Sequence, residues 1–167
     1  MCQAYRRQYG LYAIALLPTN LYGPGDNFSE LDSHVVPALL RKFHHARTSG
    51  SDSVTLWGSG RPRREFLHVD DFADAVCLLL EAYAREEPIN IGSGTDVAIA
   101  DLAGLIAETV GFRGRIVYDS SKPDGAPRKL LDVSRITAMG WKPKIGLAEG
   151  IAQTYAWYAQ HFDAVRH

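Results

Sequence analysis

Apolar residues in this chain fall into short unbroken runs and wider helical spacings, divided by clusters of Gly, Pro and Asp. Met1 to Gly10 reads as the end of a helix stopped by Gly10. Leu11 to Leu17 is a nearly unbroken apolar run, the signature of a strand buried on both faces in a parallel sheet. Pro18 to Asp32 reads as a loop. A helix is predicted from about Ser33, with Ser33 as N-cap and Pro37 tolerated in the first turn. Val36, Leu39, Leu40 and Phe43 then share one face. Val54 to Trp57 and Glu65 to Val69 read as short strands either side of a Gly-Ser-Gly-Arg-Pro connection.

Further on, Asp70 or Asp71 is expected to cap a helix whose buried face is Phe72, Val76, Leu79, Leu80 and Tyr83. Ile89 to Ile91 is a brief strand closed by Gly92-Ser93-Gly94. The next helix runs from about Ile99 to Gly111, and Arg115 to Tyr118 is a strand. A polar loop over Ser120 to Arg128, an extended Leu130 to Val133 and a short helix to Gly140 follow. A last helix over roughly Leu147 to Phe162 presents Ile151, Tyr155, Tyr158 and Phe162 on one side. Strands alternating with helices define an α/β architecture.

Composition narrows the class. The 167 residues are 46% hydrophobic and 22% charged, which suits one globular domain or the remnant of a larger one. Eighteen basic against nineteen acidic residues give a net charge of −1, which argues against general attraction to nucleic acid or acidic membranes. Two cysteines, at positions 2 and 77, exclude a disulfide scaffold and a four-Cys metal site, and no metal is expected. No apolar run resembles a signal peptide or a membrane span, so the expectation is a reduced, cytoplasmic protein.

Three features bear on chemistry. Pro18-Thr19-Asn20-Leu21-Tyr22-Gly23-Pro24 follows the apolar strand, and ligands of open α/β sheets sit at the carboxyl ends of strands. The same stretch also reads as a structural turn. Arg61, Arg63 and Arg64 lie beside a tight turn near Trp57, a set suited to an anionic ligand or, singly, to a solvated face. His34 begins a helix facing the Pro18 loop, where an imidazole can give or take a proton near neutral pH. His44, His45, His161 and His167 read as exposed surface, and His68 as packed. Tyr118 and Lys122 match a Tyr-x-x-x-Lys spacing, but a strand end and a loop do not put them on one helical face, so the match reads as chance. No Gly-x-x-Gly-x-x-Gly or Gly-x-Gly-x-x-Gly phosphate loop follows a first strand.

Taken together, the Pro18–Pro24 stretch, Ser33-His34-Val35-Val36-Pro37-Ala38-Leu39-Leu40, Trp57-Gly58-Ser59-Gly60, Arg64 to Asp71 and Ser121 to Asp132 resemble the GDP-L-fucose synthase family of extended short-chain dehydrogenase/reductases. The resemblance covers nearly all of this chain but only the C-terminal half or so of the family's. It implies a substrate-binding domain (about 26–65 and 95–167) with the last strands and helix of an incomplete Rossmann domain (1–25 and about 66–94). It implies NADP(H) as cofactor, a GDP-sugar substrate and a homodimer for the complete enzyme. The implied activity epimerises C3 and C5 of GDP-4-keto-6-deoxy-D-mannose and then reduces C4.

Carried over by position, the resemblance implies His34 as the epimerisation acid, close to the nicotinamide. It implies Pro18, Thr19, Asn20 and Leu21 at the cofactor's nicotinamide end, and Lys42, Trp57, Arg64 and Asp124 on the GDP-sugar. The family's Gly-rich loop, catalytic Ser, Tyr-x-x-x-Lys and partner Cys would lie upstream of Met1, so the chain alone is expected to be inactive. The Leu11–Leu17 and Ile89–Ile91 strands would then show unpaired edges or exposed apolar faces. Another nucleotide-sugar epimerase or dehydratase of the superfamily, and a non-catalytic nucleotide-sugar binding fragment, remain open readings.

Overall fold

The computed structural model describes residues 1–162, so the reading of His167 lies outside the described residues. It confirms the α/β alternation: α1 (Cys2–Tyr9), β1 (Leu16–Pro18), β2 (Asn20–Tyr22), α2 (Val35–Ser49), β3 (Ser53–Trp57), β4 (Arg63–His68), α3 (Val69–Ala82) and β5 (Ile89–Ile91). There follow β6 (Asp96–Ala98), α4 (Ile99–Val110), β7 (Arg115–Asp119), β8 (Arg128–Lys129), α5 (Ser134–Ala138) and α6 (Leu147–His161).

Parallel pairing dominates. β1 lies beside β5, with Leu16 opposite Ile89, and β2 lies beside β4, with Asn20 opposite Phe66. The chain from Leu16 to Tyr22 is therefore one extended path that changes partner at Thr19, whose N–H donates to the Ile91 carbonyl at 3.0 Å. The amino half of β4 pairs antiparallel with β6 and parallel with β8. β3 pairs with β7, Trp57 opposite Asp119. β3 and β4 thus belong to different sheets and do not form a hairpin across the glycine turn.

Two apolar cores support these sheets. One gathers Tyr22, Phe28, Leu40, Phe43, Leu56, Ile106, Ile151 and Tyr158 between α2, α4 and α6. The other gathers Leu67, Ala75, Leu79, Ile89, Ile91, Ile136 and Trp141 between α3 and the β5 side of the fold.

Several sequence expectations need correction. The apolar run condenses to the three-residue β1, and it is not buried on both faces. Leu17 is 50% exposed, and Leu11 and Tyr12 are exposed as well. Within the described residues β5 is its one strand neighbour, so its other edge carries no ladder. The Pro18–Asp32 segment is not wholly loop, because β2 forms inside it. The α2 cap is His34 rather than Ser33, through backbone geometry alone, with no side-chain hydrogen bond. His68, not Asp70 or Asp71, caps α3: its Nδ1 accepts the Asp70 N–H at 3.2 Å. Asp71 instead turns inward, its two oxygens accepting the Lys144 and Ile145 N–H groups, each at 3.0 Å. Leu80 is 74% exposed rather than buried, since α3 packs through Asp71, Ala75 and Leu79. His44 is buried, not exposed, against Tyr155, Tyr158 and Phe162.

Candidate functional site

A cavity opens beyond the carboxyl end of β1. It measures about 450 Å³ and is walled by the Pro18–Asp26 segment, His34 and Val69. The wall is held from behind. Thr19 Oγ1 and Asn20 Nδ2 both donate to the main-chain carbonyl of Glu65, at 3.1 and 2.7 Å. Gly23 packs against Val69 and His68 so closely that a Cβ there would meet Val69 Cγ1, so this turn requires glycine.

His34 stands at the cavity as the N-cap of α2, exposed, where the free N–H groups of a helix start create a positive end. Asp26 faces the same space. Its Oδ1 accepts the Asn27 N–H at 2.7 Å, while its Oδ2 is buried with no hydrogen-bond partner among the described residues. Burial raises the Asp26 carboxyl above its ordinary range, and the Asn27 N–H and the nearby His34 pull it back down. Sequence reasoning passed over Asp26, because nothing in Gly25-Asp26-Asn27 distinguishes a cavity wall from an ordinary turn.

The cavity suits one end of a nicotinamide dinucleotide. Its walls combine Pro18, Leu21, Pro24 and Val69 with the His34 imidazole and the Asp26 carboxyl, and Thr19 and Asn20 turn their side chains away to Glu65. A flat amide-bearing ring fits such a lining. Gly58-Ser59-Gly60 and Gly92-Ser93-Gly94 both lie outside this wall.

A second surface forms where β3 ends. Trp57 is 73% exposed. The Lys42 ammonium lies 5.9 Å from its ring centre and that of Lys122 lies 5.7 Å away. Lys42 also donates to the Thr55 carbonyl at 3.3 Å, which fixes its reach along β3. Next to Trp57, the Ser59 N–H and hydroxyl both donate to Asp124, at 2.8 and 2.6 Å. These bonds hold the Asp124 carboxyl below its ordinary range. Gly58, at φ +80°, leaves room for that carboxylate. Arg64 donates to the carbonyls of Arg63 and Ala126, at 2.8 and 2.7 Å, and so closes the loop that carries Asp124 onto β4.

The site residues read from the sequence therefore separate into two groups. Pro18, Thr19, Asn20, Leu21 and His34 share the cavity, whereas Lys42, Trp57, Arg64 and Asp124 lie outside its lining. The arginine cluster is less available than its spacing suggested. Arg63 and Arg128 both bind Asp96, and Arg61 donates to Ser59 Oγ at 3.1 Å. Tyr118 and Lys122 are confirmed as a strand residue and a loop residue. Glu65 is a second carboxylate that the sequence reading missed. It is fully buried, and its carboxylate accepts the N–H groups of Gly94 at 2.7 Å and Leu131 at 3.0 Å. Among the described residues no cluster of three or more His, Cys, Asp or Glu offers a metal site, and no helix is long and apolar enough to cross a membrane.

A parallel-stranded α/β fold with a cavity at a strand's carboxyl end is the architecture of nucleotide-cofactor enzymes. In agreement, the sequence model of the NAD dependent epimerase/dehydratase family matches residues 1–92. The chain belongs to that family. Over 161 residues it is 58% identical to the probable GDP-L-fucose synthase 1 of Oryza sativa subsp. japonica, covering 96% of this chain and 49% of that protein. The GDP-L-fucose synthase of Escherichia coli (strain K12) is 49% identical over 175 residues, covering 99% of this chain and 54% of that protein. The crystal structure of a GDP-L-fucose synthetase from Naegleria fowleri bound to NADP matches with a TM-score of 0.87 at 29% identity, covering 92% of this chain and 49% of that one. The chain spans about half the length of the curated relatives it matches.

Proposed function

We propose that this chain supplies the substrate-holding face and a proton donor of a GDP-L-fucose synthase. The activity is NADP-dependent epimerisation at C3 and C5 of GDP-4-keto-6-deoxy-D-mannose, followed by reduction at C4. The observation that carries the reading is the 58% identity to the rice protein across 96% of the chain, which takes in both groups of site residues. In this reading residues 1–25 and about 66–94 belong to the cofactor domain, and about 26–65 and 95–167 to the substrate domain.

Protons beside a ketone are acidic enough to be removed when the enolate is stabilised, and returning one from the opposite face inverts the carbon. His34, exposed at the cavity and unencumbered by a capping bond, is the acid that returns it. NADP(H), when bound, supplies the reducing equivalents for the C4 ketone. Pro18, Thr19, Asn20 and Leu21 wall its nicotinamide end, chiefly through backbone and apolar atoms. Lys42 and Arg64 face the diphosphate, Trp57 a flat group of the substrate, and Asp124 a hydroxyl or base N–H. Arg64 and Asp124 already have loop partners, so they also shape the wall they contribute to. The complete enzyme is a cytoplasmic homodimer in this reading. Two unpaired cysteines fit a reducing compartment.

The test uses the complete enzyme. His34→Ala should slow exchange of the C3 and C5 protons with deuterated water more than it slows NADPH-dependent reduction of an already epimerised substrate. Equal loss of both partial reactions overturns the role of His34. Tighter binding of UDP-sugars than GDP-sugars overturns the substrate and favours another nucleotide-sugar enzyme of the superfamily.

A further inference from the structure

Lys122 belongs to a Tyr-x-x-x-Lys spacing whose usual helical chemistry the fold excludes, yet the fold gives it a defined place. Trp57 pairs with Asp119 at the end of the β3–β7 ladder. Asp119 then folds the chain back. Its Oδ1 accepts the N–H and hydroxyl of Ser121, at 3.0 and 2.6 Å, and its carbonyl accepts the Lys122 N–H at 3.2 Å. Two residues on, Asp124 is clamped to Ser59. The backbone of Lys122 is thus pinned on both sides, and its ammonium is delivered to within 5.7 Å of the Trp57 ring centre.

The electrostatics of this corner are unbalanced. Lys42 reaches the same ring from α2. Among the described residues neither lysine has a carboxylate within ion-pair distance. The two acids nearest in sequence to Lys122, Asp119 and Asp124, direct their oxygens to serine donors instead. Two ammonium groups without an ion-pair partner and an exposed indole face form a surface that attracts a polyanion carrying a flat group.

We infer that Lys122 is a further cation of the nucleotide-diphosphate site beside Lys42 and Arg64, closing on the phosphates from the loop side of Trp57 while Lys42 approaches from the helix side. The inference rests on the reading of the Trp57 face as the GDP-sugar site, and extends it to a residue outside the implied set. Its role is charge recognition: Lys122 distinguishes a nucleoside diphosphate from a nucleoside.

Calorimetric titration of the 167-residue protein with GDP and with guanosine tests this, at low ionic strength where screening is weak. Lys122→Gln should weaken GDP binding by about tenfold, the scale of one lost charge-assisted contact. It should leave guanosine binding unchanged, and Lys122→Arg should restore GDP affinity. Unchanged GDP affinity in Lys122→Gln overturns the inference while leaving the Trp57 site in place. Equal weakening for GDP and guanosine overturns it too, since it marks a loss of loop shape. GDP binding that is absent, or indifferent to Trp57→Phe, overturns the reading of the Trp57 face and this inference together.

Discussion

Asn20 hands its side-chain amide to the main-chain carbonyl of Glu65 at 2.7 Å, across the join between β2 and β4. The bond ties the cavity wall to the strand that carries Arg64. Asn20→Ala removes one part-buried hydrogen bond, and Thr19 Oγ1 still serves the same carbonyl. The expected loss is about 1 kcal/mol of unfolding free energy, read from the shift of a urea midpoint at constant slope. The double variant Thr19→Val/Asn20→Ala should lose more than the sum of the two single variants, because only then is the carbonyl deserted.

Glu65 has the larger consequence for folding. Its carboxylate is the common acceptor for Gly94 and Leu131, and Ser93 Oγ lies 3.5 Å from it. Glu65→Leu deprives two part-buried N–H groups of their acceptor inside the fold and should cost on the order of 2–4 kcal/mol. Gly92→Ala should destabilise for a different reason, since its Cβ would collide with the same carboxylate. Chemical denaturation of both variants checks the order, with Glu65→Leu expected to be the weaker fold.

His44 gives stability a pH dependence. Its Nδ1 lies 3.0 Å from the Tyr155 hydroxyl, and its ring packs against Tyr158 and Phe162. Burial lowers its pKa below the ordinary 6.5, helped by Arg47 and His45. The folded state therefore binds the proton less readily than the unfolded chain. The His44 contribution is fully present above pH 6.5 and declines as the pH falls below it. Unfolding free energies measured between pH 7.5 and pH 5 should fall toward acid, and His44→Phe should flatten that slope; these pH limits bracket the ordinary imidazole range of about 6.5.

Much of this was legible in the chain because the signals are local. Gly10 and Gly111 end their helices in the left-handed conformation, and the Val36-Leu39-Leu40-Phe43 stripe is the buried face of α2. What escaped depends on distant partners. β2 was invisible because a three-residue strand exists only through its ladder to β4. The buried carboxylate of Glu65 lies amid Arg63, Arg64 and His68, where charge patterning suggests a surface, and its partners come from 29 and 66 residues away. His44 reads as exposed because His45, Arg47 and Thr48 follow it on α2, while the aromatic residues that cover it arrive with α6. The residues proposed for the site came from a resemblance of motifs, which carried no sign that Pro18 to Leu21 and His34 line a cavity while Lys42, Trp57, Arg64 and Asp124 lie outside it.

The exposure of Trp57 also gives the protein its own optical probe. Trp141 is buried and Trp157 lies partly covered against Phe28, so the indole at the end of β3 is the one standing most fully in water. Its emission should lie farthest to the red and be the first reached by a collisional quencher such as acrylamide. Anything that settles on that face shields the ring and shifts its colour, so occupancy can be followed by light from the unlabelled polypeptide.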